Sequence, residues 1–307
     1  MADWVYANRG IAYSINGDFD RATADFNKSI ELNPKKAGTY NDRGLVYFGK
    51  RNFDRAITDY NKAIELEPNL AVIHNNRGHA YFEKRDADSA IKDYTKAIEL
   101  DPKFALAHFN RAHAYLAKAD SDSAIADFTK AIELNAKYTE AYYNRGYQYL
   151  FKFAANRAIA DFTRTIELNP KHIDAYIKRG SAYTGKGDVD DAIADFNAAI
   201  DINPSSISAY ALRGDAYGAK GDFDRAIDDY TKAIELNPKY SAHIYQNRGN
   251  VYSKKGDFEH AIVDFTKSID LDPTDAAAYS YRGNAYEEKG DTDRANTDYA
   301  KAKELRK

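Results

Sequence analysis

An Arg-Gly dipeptide recurs along this chain at a step of 34 residues, and this period constrains the fold more than any other feature. One inserted residue near Ser241 shifts the last two copies, and Ala112 replaces the glycine once. Stacked copies of a short unit bury a continuous core that no single copy makes alone. The period therefore predicts a single array over 3–307, divided into nine repeats with the bounds 3–36, 37–70, 71–104, 105–138, 139–172, 173–206, 207–241, 242–275 and 276–307.

Each repeat carries two apolar faces at helical spacing. With the glycine of Arg-Gly numbered as position eight, Tyr40, Gly44 and Tyr47 stand at positions four, eight and eleven. This spacing of i, i+4 and i+7 puts the three side chains on one face of a helix. Ala56 and Tyr60, at positions 20 and 24, begin the second face. Each repeat is therefore predicted to form two helices of roughly 13 residues that pack closely against each other.

The residues between the two faces predict where the helices end. Gly17-Asp18 is typical, because glycine suits the left-handed residue after the first helix and aspartate suits the N-cap of the second. Prolines at position 32 close the second helices. In repeat five Phe153-Ala154 replaces Gly-Asp, and the proline that would precede this repeat is Ala136, so longer helices are expected there.

This pattern resembles the tetratricopeptide repeat family over essentially the whole chain. The match rests on the run AYYNRGYQY at 141–149 and on the pattern A-I-x-D-Y-x-K-A-I-E-L-x-P at 56–68. The resemblance implies an all-α fold, an α-solenoid in which helix–turn–helix repeats form a right-handed superhelix. It also implies that the first helices line a concave groove and that the function is protein–protein interaction.

Positions seven and 23 depart together from the common family pattern. All nine copies have arginine at seven and aspartate at 23, as in Arg43 and Asp59, where the family usually has leucine and often an aromatic residue. The joint replacement predicts a ladder of Arg–carboxylate pairs between helices, within or across repeats. A row of arginines that binds anions is the alternative. We interpret the pairs as structural, because position seven is expected to face the core.

The remaining face of the first helix varies from copy to copy, and it is the predicted binding surface. We call positions two, five, six, nine, twelve and thirteen the groove surface. In repeats two to five it is rich in large side chains, namely Phe48, Phe82, Leu116 and Leu150 at position twelve, Phe109 and Tyr143 at five, and His79, His113 and Tyr147 at nine. An exposed apolar patch usually marks an interaction site. The alternative is tight curvature, in which neighbouring first helices cover one another.

Position six adds a row of asparagines to this surface. An amide offers both a donor and an acceptor, so such a row can hydrogen-bond an extended peptide backbone whatever its side chains. Asparagine also occurs at such positions for purely structural reasons, and both interpretations stay open. The row completes the predicted peptide-binding site with Asn8, Asn76, Asn110, Asn144 and Asn247.

Composition excludes several classes of function. The formal net charge of −3, from 44 basic and 47 acidic residues, argues against a protein that binds nucleic acid or a membrane surface. The absence of cysteine excludes disulfides and thiolate zinc sites. No apolar run approaches the roughly 18 to 20 residues that span a bilayer. Residues 1–15 lack the layout of a signal peptide, so a soluble, cytoplasmic protein is expected.

The sequence shows no motif of catalysis, and neither enzyme activity nor a cofactor is expected. There is no phosphate-binding glycine loop, nucleophile elbow or zinc-protease motif. His79 and His113 occupy the same position of adjacent repeats, but the spacing supplies no third ligand, so no metal site is predicted.

Three hypotheses for function follow. The first is a scaffold that binds a peptide or protein segment in the groove, mainly at repeats two to five. The second is self-association through the N-terminal repeat, which has no polar outer face comparable to that of Asn296 and Lys303 in repeat nine. The third is a regulatory module that belongs to a larger protein.

Overall fold

The computed structural model describes residues 2–306 of the chain. Over these residues the chain forms eighteen α-helices of 13 or 14 residues, one 3-10 turn and no β-strand. The predicted all-α class is therefore confirmed. Within the same residues, no helix combines the length and the apolar character that crossing a bilayer requires.

The chain divides into two compact units, Met1–Gln148 and Tyr149–Lys307. The first unit contains α1 (Ala2–Ile15), α2 (Phe19–Leu32), α3 (Ala37–Gly49), α4 (Phe53–Leu66), α5 (Ala71–Glu83), α6 (Ala87–Leu100), α7 (Ala105–Ala117), α8 (Ser121–Leu134) and most of α9 (Thr139–Phe151). The second unit contains α10 (Ala155–Leu168), α11 (Ile173–Lys186), α12 (Val189–Ile202), α13 (Ile207–Ala219), α14 (Phe223–Leu236), α15 (Ala242–Lys255), α16 (Phe258–Leu271), α17 (Ala276–Glu288) and α18 (Thr292–Leu305).

The odd-numbered helices are the predicted first helices and the even-numbered ones are the predicted second helices. The two helices of a pair approach closely where glycine meets an aromatic ring. A Cβ added to Gly44 would stand only 2.6 Å from Cε1 of Tyr60, and the Tyr60 side chain is fully buried. The predicted close packing of positions eight and 24 is thus confirmed, whereas the division into nine repeats stays a prediction.

The turn inside each helix pair holds one residue in the left-handed conformation. Five turns use glycine, with φ between 77° and 84°, and the other four use Arg51, Arg85, Ala119 and Phe153, with φ between 56° and 63°. The expectation of longer helices in repeat five is wrong. Helix α9 has 13 residues and α10 has 14, because Phe153 adopts the left-handed turn without being a glycine. Asn135 likewise ends α8 after 14 residues although Ala136 replaces the usual proline.

Most second helices begin at a capping side chain, as the sequence predicts. The Asp18 carboxylate accepts a hydrogen bond from the backbone N–H of Arg21 at 3.2 Å, and Asp222 accepts the same bond from Arg225 at 3.3 Å. Helix α10 lacks this bond because Ala154 occupies its N-cap. The inserted residue at Ser241 follows the 3-10 turn Pro238–Tyr240, which takes up the change of phase before α15.

Candidate protein-interaction surface

The predicted Arg–carboxylate pairs form between the two helices of the same repeat. Nε of Arg43 donates to Oδ2 of Asp59 at 2.8 Å, and Nη2 donates to Oδ1 at 2.6 Å. The hydrogen bond to Asp59 raises the pKa of Arg43. The fork of the guanidinium matches the carboxylate, so each pair fixes the two helices in one register. The same geometry recurs in Arg9–Asp25, Arg77–Asp93, Arg111–Asp127, Arg179–Asp195, Arg213–Asp229, Arg248–Asp264 and Arg282–Asp298.

The same arginines also bind the repeat that precedes them. Nη1 of Arg43 donates to Oδ1 of Asn27 at 2.7 Å, and Nη1 of Arg111 donates to Oγ1 of Thr95 at 3.0 Å. The acceptor is always an asparagine or threonine at position 25. Since each of these guanidinium groups binds on two sides, the structural interpretation is favoured over an anion-binding row. The other donors and acceptors are Arg77 and Asn61, Arg145 and Thr129, Arg179 and Thr163, Arg213 and Asn197, Arg248 and Thr231, and Arg282 and Thr266.

A second link between repeats joins a lysine at position 14 to an acid at position 18 of the preceding repeat. Lys118 pairs with Asp88 in this way, and Lys220 pairs with Asp190. All of these acids are largely exposed. Sequence reasoning did not find this link, because it joins side chains about 30 residues apart whose reach depends on how the repeats pack.

Within the first unit, the large side chains of the groove surface pack against their neighbours. The ring of Phe48 lies 4.7 Å from the ring of His79 and 5.4 Å from that of Phe53, measured between centroids. The ring of Phe109 stacks on Tyr138 at 4.8 Å. Neighbouring side chains therefore cover part of each ring.

The other large site residues vary in exposure. Phe82, Leu116 and Tyr143 are half-buried, and Tyr147 is 43% exposed. Leu150, which belongs to the second unit, is also half-buried. The accessible parts of these side chains form a partly exposed apolar surface.

Two asparagines of position six link adjacent repeats through one N–H of their side-chain amide. Nδ2 of Asn76 donates to Oδ1 of Asn41 at 2.9 Å, and Asn110 makes the equivalent bond to the preceding repeat at 3.0 Å. Nδ2 of Asn144 instead donates to a backbone carbonyl of its own helix, and Asn8 is exposed. In Asn76 and Asn110 the amide oxygen and one N–H remain for a ligand.

The histidines of the first unit are mostly packed side chains. Burial lowers the pKa of His113, and partial burial lowers that of His79, whose side chain is 46% exposed. His74 and His108 lie in the core, where Nδ1 of His108 is 3.1 Å from Oδ1 of Asp127. Across residues 2–306 no three His, Cys, Asp or Glu side chains are grouped so that they could hold a metal ion.

The second unit contains a polar trough that sequence reasoning did not single out. Two cavities of about 360 and 250 Å³ lie side by side and share Asn250 and Lys254. In the second of these, Asp215 accepts hydrogen bonds from Oη of Tyr230 at 2.6 Å and from Nδ2 of Asn247 at 3.2 Å. The predicted site residue Asn247 therefore lies in this trough.

The floor of the trough is aromatic. Phe265 and Tyr281 stack with their ring centroids 5.8 Å apart, and Asn284 stands beside them. The signal in the sequence is the small side chain at position twelve of these repeats, Gly218 and Ser253, which leaves open the space that phenylalanine or leucine fills in repeats two to five.

Comparison with known protein families identifies the repeat. Models described as tetratricopeptide repeat match residues 4–36, 71–104, 207–240, 93–126 and 139–172. A model described as TPR repeat matches residues 52–85, 180–221 and 249–290. No curated protein sequence gives a significant match.

Solved structures of similar repeat proteins agree with this result. MamA is 30% identical over 52% of this chain and 94% of its own, with a TM-score of 0.50. YrrB, described as a TPR protein with an unusual peptide-binding site, is 26% identical over 60% of this chain and 95% of its own, with a TM-score of 0.53. The C-terminal part of a TPR repeat-containing protein from Cytophaga hutchinsonii shares the fold at 20% identity, over 78% of this chain and 97% of its own, with a TM-score of 0.67. Taken with the helix pairs and the matched segments, these similarities show that the chain belongs to the tetratricopeptide repeat family.

Proposed function

We propose that this chain is a scaffold that binds a protein or peptide segment along its groove surface, at the site residues predicted in repeats two to five. Proteins built of these repeats generally act as non-enzymatic scaffolds, and YrrB, with a similar structure, is described as having a peptide-binding site. The observation that carries the proposal is that the groove surface offers unused hydrogen-bonding groups next to partly exposed apolar rings.

In the first unit these groups suit an extended segment. The free amide oxygens of Asn76 and Asn110 can accept hydrogen bonds from backbone N–H groups of a peptide. Because the two asparagines occupy the same position of adjacent repeats, they suit the regular backbone of an extended ligand. Phe82 and Leu116 supply apolar contact for the side chains of the ligand. Backbone bonds then provide affinity, and the apolar contacts select the sequence that binds.

In the second unit the trough suits polar side chains. Among residues 2–306, Asn250, Ser253 and Lys254 have no side-chain hydrogen bond or ion pair. An unpaired ammonium beside two aromatic rings attracts an acidic group, since burial by the ligand strengthens their interaction. We therefore expect a segment bound here to place an acidic residue next to Lys254.

The test is a peptide selected from a random-sequence library on the wild-type protein, followed by affinity measurements with fluorescence polarisation. We expect Phe82→Asp/Leu116→Asp to weaken binding at least tenfold, which corresponds to about 1.4 kcal/mol. Val263→Asp is the matched control, because Val263 is 58% exposed on the second helix α16. Equal affinity of all three proteins, with unchanged helical circular dichroism, would remove the aromatic half of the groove surface as the site.

Self-association is the second candidate, and the exposed apolar side chains of α1 favour it. Trp4 is 62% exposed, Val5 53% and Ile15 79%. Light scattering over a concentration series tests it, because a molar mass that stays at the monomer value rules out assembly through this helix.

A further inference from the structure

We propose that Asp42 binds a basic side chain, lysine or arginine, of the segment that lies along the groove surface. The contact rests on the proposed function, because it needs a bound segment. Asp42 occupies position six of repeat two, where five other repeats have asparagine. An amide both donates and accepts hydrogen bonds, whereas an ionised carboxylate only accepts them. A ligand that passes this point must therefore offer a donor.

The place of Asp42 in the groove surface is fixed by a chain of two hydrogen bonds. Nδ2 of Asn76 donates to Oδ1 of Asn41 at 2.9 Å, and Nδ2 of Asn41 donates to Oδ1 of Asp42 at 3.3 Å. The chain runs from α5 to α3 and links Asp42 to a predicted site residue of the adjacent repeat. It ends on the carboxylate, which therefore receives only one long bond from a neutral amide.

The charge of Asp42 has no counter-ion in the part of the chain that the structure describes. The bond from Asn41 is the one hydrogen bond to this half-buried carboxylate among residues 2–306, and no side chain there forms an ion pair with it. Lys36 acts on it only through its electrostatic field. Partial burial raises the pKa of Asp42, because the charged form is poorly solvated. A cation brought by a ligand would stabilise that form.

Asp215 in the second unit is the matched case, because it is a groove aspartate whose pKa is also raised by partial burial. Its carboxylate accepts from Oη of Tyr230 at 2.6 Å and from Nδ2 of Asn247 at 3.2 Å. The protein thus supplies two donors to Asp215, of which one is short. Asp42 receives neither kind of bond, so the structure completes one of these carboxylate sites and leaves the other open.

The hydroxyl of Tyr60 is a second group without a partner in repeat two. Tyr60 stands at position 24, like Tyr230, whose hydroxyl reaches the aspartate at position nine. Leu45 occupies position nine in repeat two and cannot accept a hydrogen bond. Oη of Tyr60 is accordingly buried with no hydrogen-bond partner among residues 2–306. Burial, and then the charges of Asp59 and Asp42, raise the pKa of Tyr60. Repeat two therefore leaves open both groups that repeat seven joins.

The surface beside Asp42 favours a long basic side chain over a small cation. Leu45 lies three residues further along α3, on the same side of the helix, and is 44% exposed. Lysine and arginine lay their methylene groups on apolar surface while the head group stays at a charge. Arginine suits the site best, since its planar fork can bind both oxygens of a partly buried carboxylate.

The experiment uses four peptide libraries with one fixed residue. Each peptide has eleven residues with blocked ends, carries arginine, lysine, glutamine or glutamate at the centre, and is random among uncharged residues elsewhere. The libraries pass over the immobilised full chain at physiological ionic strength, and amino-acid analysis of the eluate measures the retained amount. We expect the arginine and lysine libraries to be retained about fivefold more than the glutamine library.

Three variants make the result specific to this residue. Asp42→Asn should abolish the preference and keep the fold, because asparagine stands at this position in other repeats. Asp54→Asn removes the same charge from the outer side of α4, where Asp54 is 81% exposed, and should retain the preference. Asp42→Lys should reverse it, so that the glutamate library is retained above the glutamine library. A gain of this kind cannot come from misfolding.

The outcomes separate this contact from the proposed function. Equal retention of the arginine, lysine and glutamine libraries, lost in Phe82→Asp/Leu116→Asp, would overturn the role of Asp42 and leave the scaffold function standing. A preference for basic peptides that persists in Asp42→Asn would also overturn it. A preference that needs Asp42 but not Phe82 and Leu116 would support the contact and contradict the aromatic site. Retention of none of the libraries would overturn both.

Discussion

Repeats two to five and repeats six to nine build the same left-handed turn from different residues. The former use Arg51, Arg85, Ala119 and Phe153, and the latter use glycine throughout. A non-glycine residue in this conformation costs roughly 1 to 2 kcal/mol, because Cβ approaches the following carbonyl. The first group therefore accepts backbone strain that the second avoids, although the helices on either side have the same lengths.

The strained turns occur in the same repeats as the large groove residues. Arg51 lies over the ring of Phe53 at 5.7 Å, and Phe53 contacts Phe48 of the groove surface. Arg85 lines a cavity together with Phe82. Strained backbone tends to persist where a side chain has a use beyond stability. Repeats two to five therefore differ from repeats six to nine both in the turn residue and in the large side chains of the groove surface. This coincidence supports our proposal that the binding site lies in repeats two to five.

The largest expected effect concerns the Arg–Asp pair, which both groups of repeats contain. Arg43→Leu in repeat two and Arg213→Leu in repeat seven should each lower the free energy of unfolding by about 3 kcal/mol, because each leaves a buried aspartate unpaired. Urea unfolding followed by circular dichroism measures the loss. Adding Asp59→Leu to the first variant should recover part of it, and very unequal losses in the two repeats would show that the groups differ in more than turn and groove.

The next effect concerns the close approach of the paired helices. Gly44→Ala and Gly180→Ala should each destabilise by about 1 to 2 kcal/mol, since the new Cβ would stand 2.6 Å from Tyr60 and 2.7 Å from Phe196. Ala112 shows that one repeat accommodates alanine, so Ala112→Gly is the reverse control. Thermal melts of the three variants check this, and a stabilised Gly44→Ala protein would contradict the packing argument.

The turns themselves give a smaller effect of opposite sign in the two groups. Ala119→Gly should stabilise the protein by about 1 kcal/mol, because glycine adopts positive φ without strain, and Gly221→Ala should destabilise it by a similar amount. Urea midpoints measured side by side are sufficient. If both substitutions destabilise, strain does not distinguish the two groups of repeats.

The exposed lysine links should give the smallest effect. Lys84→Met and Lys220→Met remove ion pairs to Asp54 and Asp190, which lie largely in solvent. Exposed pairs are screened by salt, so neither variant should differ measurably from wild type at physiological ionic strength. A clear loss for both in high salt would mean that these lysines contribute by packing.

Much of the fold could be predicted because each local signal has a single structural consequence. The joint recurrence of Arg43 and Asp59 predicted a pair between helices, within or across repeats, and Gly17-Asp18 predicted a turn and a cap. The site was less predictable. The half-burial of Phe48 depends on His79 and Phe53, and the trough around Lys254 depends on small residues in two neighbouring repeats. Such features belong to contacts between helices rather than to any one segment.

By itself the sequence determined the repeat, the helix pairs and the residues that join them, because i, i+4 spacing and turn chemistry act over a few residues. Only the tertiary structure decided that the arginine of position seven also donates a hydrogen bond to the side chain at position 25 of the preceding repeat. It also decided that Phe153 takes the place of glycine in the turn without lengthening a helix. These outcomes depend on how far one helix lies from the next, and that distance is set by packing across repeats.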